Sequence, residues 1–356
     1  MRVKSTLAAA VVLASLAAPL TAAATGHPGH GGSCSRDARF LGFTDSLDKT
    51  TYAGQKVSGL SALNVTRPGH AVALVDNVQT SPARVFDLRI SGRPTVSVDG
   101  MTILRRPDGT PYTGADFDGE GLVVERGERT ILATSEREPT IRRFRLSDGR
   151  QIGELPIPAR FQVAPAGQAT SNATFESLAV SPDGFSLYAG MESPLSPDGA
   201  NRNRIIRYAG LPGHGYKPVG QLAYQTDPGL SLVELAVAGR DQLVSMERTF
   251  VPDVGNTIRV FSVSTKHAPD VSKRESIAAA PAKDFVQKKL LFDLVDCPPS
   301  GAVAKQPQPN PLLDNVEALA LGGYLPGGRR QLFLLSDDND GPTQTTRLYS
   351  LAVDLR

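Results

Sequence analysis

The chain contains no tryptophan among its 356 residues, and aromatic residues make up only 6% of it. That scarcity excludes the aromatic-rich blade signatures of WD-type repeats. There are two cysteines, Cys34 and Cys297, and five histidines. A structural zinc site needs more cysteine or a histidine cluster, and neither is present. Familiar catalytic motifs are also missing. No G-x-S-x-G elbow, H-E-x-x-H pair or P-loop occurs. His70, His214 and His267 have no nucleophile beside them in sequence, and His27 and His30 fall in a Gly-rich arm where they can bind metal adventitiously. Helical patterning is poor; the one helix-like stretch, residues 278–289, is interrupted by Pro281. Past residue 24 no apolar run is long enough for a bilayer.

The first 24 residues have the layout of a signal peptide. Arg2 and Lys4 form a basic start, residues 7–18 are apolar and uncharged, and Ala22-Ala23-Ala24 offers a small-residue cleavage site. A membrane anchor is the alternative, but the run is marginal in length and breaks at Pro19. Export to the periplasm or the outside is therefore expected. Without Arg2 and Lys4 the 38 basic residues become 36, equal to the 36 acidic ones. A balanced chain projects no general field toward nucleic acid or anionic membrane. The expected partner is a small anionic or ester substrate, bound by a monomer without stable membrane insertion. In an exported protein Cys34 and Cys297 can persist as a disulfide, with two free thiols as the alternative. Closing so long a loop adds about 4–5 kcal/mol in principle.

Five copies of one pattern run along the chain: residues 57–88, 118–157, 175–224, 233–295 and 315–351. Each opens with a short apolar strand, turns, continues into a second strand that ends in an acid, and follows with a third strand carrying arginine. Most hold material for a fourth. Four-stranded units arranged radially make a β-propeller, so the fold class is all-β. The last copy lacks a fourth strand; residues 38–43 can supply it and close the ring, which removes an exposed sheet edge. The interval 263–314 leaves room for a sixth blade. The expected domains are the leader 1–24, a flexible arm 25–36 and a propeller 37–356.

Acids recur at matching places. Glu120, Glu176, Glu234 and Glu317 open inner strands, with Ser58 at that place in the first copy; Asp76, Glu136, Glu192, Glu247 and Asp337 end second strands. Equivalent inner positions of a propeller meet around its axis, where like charges repel unless a cation or proton is shared. Converging carboxylate oxygens suit a hard divalent cation, with Ca2+ as the expected ion. Glu120, Glu176, Glu317 and Asp337 are the expected ligands, with Glu136 and Glu192 positioning water or sharing the cation. Arg137 and Arg248, beside these acids, are expected to hold an anionic substrate. Turn capping or pairing with neighbouring arginines is the alternative use of the same acids. The third-strand arginines Arg84, Arg142, Arg259 and Arg347 are expected to face solvent or pair between blades. Residues 116–120 and 337–341 look like calcium loops, although neither completes the EF-hand pattern.

The pattern [N/D]-x-E-[G/S/A]-[L/I], followed by a strand ending in an acid, resembles the phytase-like family of secreted bacterial proteins, known for "esterase-like activity of phytase". It stands here as Asp118-Gly119-Glu120-Gly121-Leu122, Asn315-Val316-Glu317-Ala318-Leu319 and, more loosely, Thr174-Phe175-Glu176-Ser177-Leu178. The opening Phe40-Leu41-Gly42-Phe43-Thr44-Asp45 is also similar to the family's start. The resemblance implies a propeller, export, and hydrolysis of a phosphate or carboxylate ester. Calcium-dependent propeller phytases add a full Lys/Arg phosphate-binding set, which this chain does not match. A lactonase-type calcium propeller and a non-catalytic binding propeller are the competing readings.

Overall fold

Short strands that are apolar on both faces need a partner on each side. Leu122, Val123 and Val124 are all buried, as are Ile131, Leu132 and Ala133. Radial stacking of sheets supplies both partners. The computed structural model describes residues 31–76, 79–127 and 129–356. It contains five antiparallel blades around a central channel.

From the axis outward, blade 1 is Leu60–Arg67, His70–Val75, Arg84–Ile90 and Val96–Ile103. Blade 2 is Gly119–Val124, Thr130–Ser135, Thr140–Arg145 and Gln151–Glu154. Blade 3 is Phe175–Val180, Ser186–Met191, Arg202–Leu211 and Gly215–Gln225. Blade 4 is Ser231–Gly239, Gln242–Val251, Gly255–Ser264 and Gln287–Asp293. Blade 5 is Val316–Tyr324, Arg330–Ser336 and Leu348–Val353, completed by Ala38–Thr44 and then Gly32–Ser33. The N-terminal strand thus closes the ring as expected, pairing Ala38 with Val353 and Thr44 with Leu348. Inner strands of neighbouring blades lie against one another all the way round. Between each adjacent pair of blades sits one apolar core. Leu74, Val85, Leu122 and Phe144, for example, join blades 1 and 2. Phe175, Leu187, Val123 and Leu132 join blades 2 and 3.

Two expectations change. The interval 263–314 holds no sixth blade. It contributes the last two residues of the third strand of blade 4, the outer strand of that blade and the short 3-10 turns Ala282–Asp284 and Leu294–Asp296. Its prolines and lack of alternation leave nothing to pair. The helix-like stretch 278–289 is likewise a single 3-10 turn followed by strand. The second change concerns the arm. Residues 1–30, with the leader, His27 and His30, lie outside the described residues, but Gly32–Ser33 is a strand rather than free chain. It is held by the Cys34–Cys297 disulfide, S–S 2.01 Å, and by the Ser35 hydroxyl, which donates to the Leu291 carbonyl at 2.6 Å. Among the described residues no helix is long and apolar enough to cross a membrane.

Candidate functional site

A β-bulge at the start of each inner strand decides where the acids point. In blade 3, Phe175 pairs with Met191 and Ser177 with Gly190, so Glu176 is the extra residue. Glu317 holds the same place between Val316 and Ala318, and Ser61 between Leu60 and Ala62. In blade 2 the irregularity spans Glu120 and Gly121, opposite Thr134. A bulged residue leaves the ladder and its side chain is re-aimed. The acid ending the second strand is tied beside it. The amides of Asp76, Glu136, Glu192 and Asp337 donate to the carbonyls of Gly59, Asp118, Thr174 and Asn315 at 2.7–2.9 Å, each two residues before the bulge. Ser61, not Ser58, is therefore the first blade's counterpart of the glutamates.

This arrangement groups acids across blade boundaries. Asp76 of blade 1 meets Asp118 and Glu120 at the start of blade 2, and Glu136 of blade 2 meets Glu176 and Glu192 of blade 3. Within each triad one carboxylate oxygen per residue lies within 4.8 Å of the others. The expected single set of Glu120, Glu176, Glu317 and Asp337 is thus divided. Glu120 and Glu176 fall in separate triads. Glu317 accepts from Arg248 at 2.9 Å, from the Ser61 hydroxyl at 3.1 Å and from the Asn315 side-chain Nδ2 at 3.0 Å. Asp337 accepts from the Asn339 amide at 2.7 Å, while its buried Oδ2 has no partner. Asp76 and Asp118 complete the first triad. The acidic loop around Asp118 and the strand-end position of Asp76 were the sequence signals for them.

Electrostatics follow from burial and crowding. Burial pushes Glu120 and Glu176 well above the usual carboxylate range, and neighbouring acids add to it: Glu176 for Glu120, Glu192 for Glu176. Burial, then Glu192, pushes Glu136 up to about 7, against the Thr174 amide that donates to it at 3.0 Å. Glu192 is also raised by burial, partly offset by Arg248. Asp337 is raised by burial and then by Asp76 and Glu317. Such a site relaxes by taking up protons or cations. All its donors are hard oxygens, brought within 4.8 Å of one another in each triad, so the residues fit a divalent cation; the buried Asp337 Oδ2 is a further acceptor with no donor.

Basic residues divide differently than expected. Arg248 is bonded to Glu317 and to the Asn315 side chain, which makes it a counter-charge within the acid cluster. Arg137 lies 3.7 Å from Asp118 and remains half exposed. The second calcium-like loop is not convergent. Asp338 pairs with Lys49 and Asp340 with Lys56, which leaves Asp337 alone turned inward. Of the third-strand arginines, Arg259 pairs with Asp227 and Asp293, Arg347 with Asp45, and Arg142 stacks over Tyr112.

Blade 4 departs from the pattern. There Leu232 pairs with Glu247 and Glu234 with Met246, so the bulged residue is Val233. Glu234, expected with the other inner-strand acids, is displaced by one. Its carboxylate accepts from the Leu235 amide at 2.9 Å, and burial alone pushes it well above the usual range. Glu247 is taken up by Lys288 at 2.5 Å, the Tyr224 hydroxyl at 2.6 Å and the Asp227 amide at 2.7 Å. The leucine two residues after each bulge shows the offset. Leu63, Leu122, Leu178, Leu235 and Leu319, one per blade, are buried and line a cavity of about 410 Å3 toward the far ends of the inner strands.

Among curated proteins none matches the sequence. Solved structures match at low identity. Myxococcus xanthus glutaminyl cyclase is 11% identical over 83% of this chain and 92% of its own, with a TM-score of 0.40. The periplasmic gluconolactonase of Pseudomonas aeruginosa is 12% identical over 92% and 97%, with a TM-score of 0.37. The family model described as Phytase-like, esterase-like activity of phytase, matches residues 55–340. The match spans the greater part of the chain and includes both acid triads, so this five-bladed propeller belongs to the phytase-like family.

Proposed function

We propose that the protein is an exported hydrolase of a phosphate or carboxylate ester that works with a divalent cation, Ca2+ as the expected ion, at the acid-lined end of its channel. The observation that carries this reading is the pair of buried and half-buried carboxylate triads, whose crowding disfavours the charged acids unless a proton or a cation is shared. Asp76, Asp118 and Glu120 would hold a cation in one triad, and Glu136, Glu176 and Glu192 in the other. A cation so held supplies Lewis-acid polarisation of the ester oxygen and a more acidic bound water. Glu136 and Glu192 orient that water or share the ion. Arg137, exposed beside Asp118, is placed to meet an anionic oxygen of the substrate. Family membership supports the hydrolase class. The disulfide supports an oxidising compartment, in keeping with the leader.

The test is a panel of phosphomonoesters, carboxylate esters and lactones, with EDTA and with added Ca2+. Turnover that EDTA abolishes and Ca2+ restores is expected. No turnover under any condition would leave a binding propeller instead.

A further inference from the structure

Arg84, Arg204 and Arg347 occupy one structural place. Each directly precedes the third-strand residue that pairs with the second strand one step before its end: Val85 with Leu74, Ile205 with Gly190, Leu348 with Leu335. All three are at most 1% exposed. A buried guanidinium needs a counter-charge and acceptors for its five N–H groups. In blades 3 and 5 the solution is the same. Arg204 donates from Nε and Nη2 to the two oxygens of Asp198 at 2.7 and 2.8 Å, and its Nη1 donates to Gln221 Oε1 at 2.9 Å and the Val271 carbonyl at 3.2 Å. Arg347 donates from Nε and Nη2 to Asp45 at 2.7 and 2.8 Å, and from Nη1 to the carbonyls of Pro311 and Leu312.

Blade 1 lacks the carboxylate. Arg84 Nη1 donates to the Pro82 carbonyl and Nη2 to the Lys56 carbonyl, each at 2.9 Å, while Nε has no partner. Among the described residues no carboxylate lies within ion-pair distance of it. Burial leaves Arg84 below the ordinary arginine value, with Asp76 and Asp340 offsetting it only from a distance; at Arg347 the bond to Asp45 overcomes the same burial and raises it. In place of an aspartate, Arg84 borders a cavity of about 660 Å3 whose wall includes Lys56, Ser58, Asp76, Ser81 and Asp340.

We propose that this cavity is a carboxylate-binding subsite, in which the Nε–Nη2 edge of Arg84 takes an external carboxylate in the way Arg204 takes Asp198 and Arg347 takes Asp45. That edge takes the paired oxygens of carboxylate and phosphate alike, whereas chloride offers it no second acceptor; Asp76 and Asp340 in the wall repel a doubly charged phosphate more than a singly charged carboxylate. Asp76 belongs both to the cavity wall and to the first acid triad. A molecule anchored at Arg84 therefore extends toward the candidate metal centre. The corollary that the ester substrate carries a free carboxylate rests on the hydrolase reading; the anion site itself does not.

The experiment titrates the full chain, in EDTA, with sodium acetate, sodium phosphate and sodium chloride at matched ionic strength. It follows the unfolding midpoint and the heat of binding. Acetate is expected to raise the midpoint and bind more tightly than phosphate, with chloride inert. Arg84→Lys, which keeps the charge but not the fork, should abolish the acetate response. Because Arg84 is buried and its variant can fail to fold, the rim provides a second arm. Asp340 is exposed, and Asp340→Asn should tighten acetate about two- to fivefold by removing a repelling charge. An acetate-soaked crystal should show the ion on Arg84. Equal responses to acetate and chloride, or tighter binding of phosphate, would overturn the assignment, as would an unchanged affinity in Asp340→Asn. Acetate binding without turnover of any ester would remove the hydrolase and leave the subsite; metal-dependent turnover without an acetate response would do the reverse.

Discussion

Blades 2 and 3 and blade 4 begin from nearly the same residues and end in opposite chemistry. In blades 2 and 3, Glu120, Glu136, Glu176 and Glu192 crowd together at one end of the channel. In blade 4, Glu234 and Glu247 stand at matching places in the sequence, yet neither joins them. A one-residue shift of the bulge puts Val233 where the others carry the bulged acid. Lys288, from the outer strand of the same blade, satisfies Glu247. An acid is thus kept out of the cluster either by a shift of register, as at Glu234, or by an internal cation, as at Glu247. The difference lies in backbone register and in one distant lysine, not in residue type.

The largest effect should come from removing a shared carboxylate. Glu176→Gln should weaken Ca2+ binding at least as much as losing an outer-shell partner does, roughly 10–100-fold, measured calorimetrically. Metal-dependent turnover should fall with it. An unchanged Ca2+ affinity would mean that the triad is not the cation site.

Lys288→Met tests the other side of the comparison. It strips the buried Glu247 of its cation and should cost about 3–5 kcal/mol in urea unfolding, with Ca2+ affinity unaltered. A loss of Ca2+ affinity of similar size would join blade 4 to the site.

The pH response comes next. In cation-free protein, burial and the neighbouring acids hold protons on Glu136, whose value of about 7 compares with an ordinary 4.5. A carboxyl with a raised folded-state value stabilises the fold fully below the unfolded value, and that stabilisation is lost as pH rises through the folded one. The unfolding midpoint in EDTA should therefore fall between pH 4.5 and pH 7 and above. Added Ca2+ should raise it more at pH 8 than at pH 5, because only the ionised acids bind. Scanning calorimetry at the two pH values checks both signs.

The smallest effect belongs to Glu234→Gln. Burial keeps this carboxyl well above the usual range, and a glutamine oxygen can still accept from the Leu235 amide. Stability should change by less than about 1 kcal/mol and Ca2+ affinity not at all. A large loss in either would make Glu234 an ionised member of the site.

Much of this was legible in advance, and the limits have physical causes. The five repeats, the closing strand and the strand-end acids follow from alternation and spacing, which are local. The sixth blade does not exist because the interval 263–314 has length without pairing partners. The offset of blade 4 was written in a quieter signal, the leucine two residues after each bulge. Glu234 precedes Leu235 directly, whereas Glu120, Glu176 and Glu317 stand two residues ahead of theirs. Arg204, fully buried on Asp198, carries no such signal, because its partner precedes it in a loop with no recurring pattern.

By itself the sequence determined the all-β repeat, the closure of the ring by its N-terminal strand, and the presence of an acid on most inner strands. Each of these depends on patterns a few residues long. Only the tertiary structure decided which acids meet. The triads combine side chains from different blades, and the distances within them are set by how the blades pack. The same packing left Arg84 without the aspartate that its two sister arginines hold.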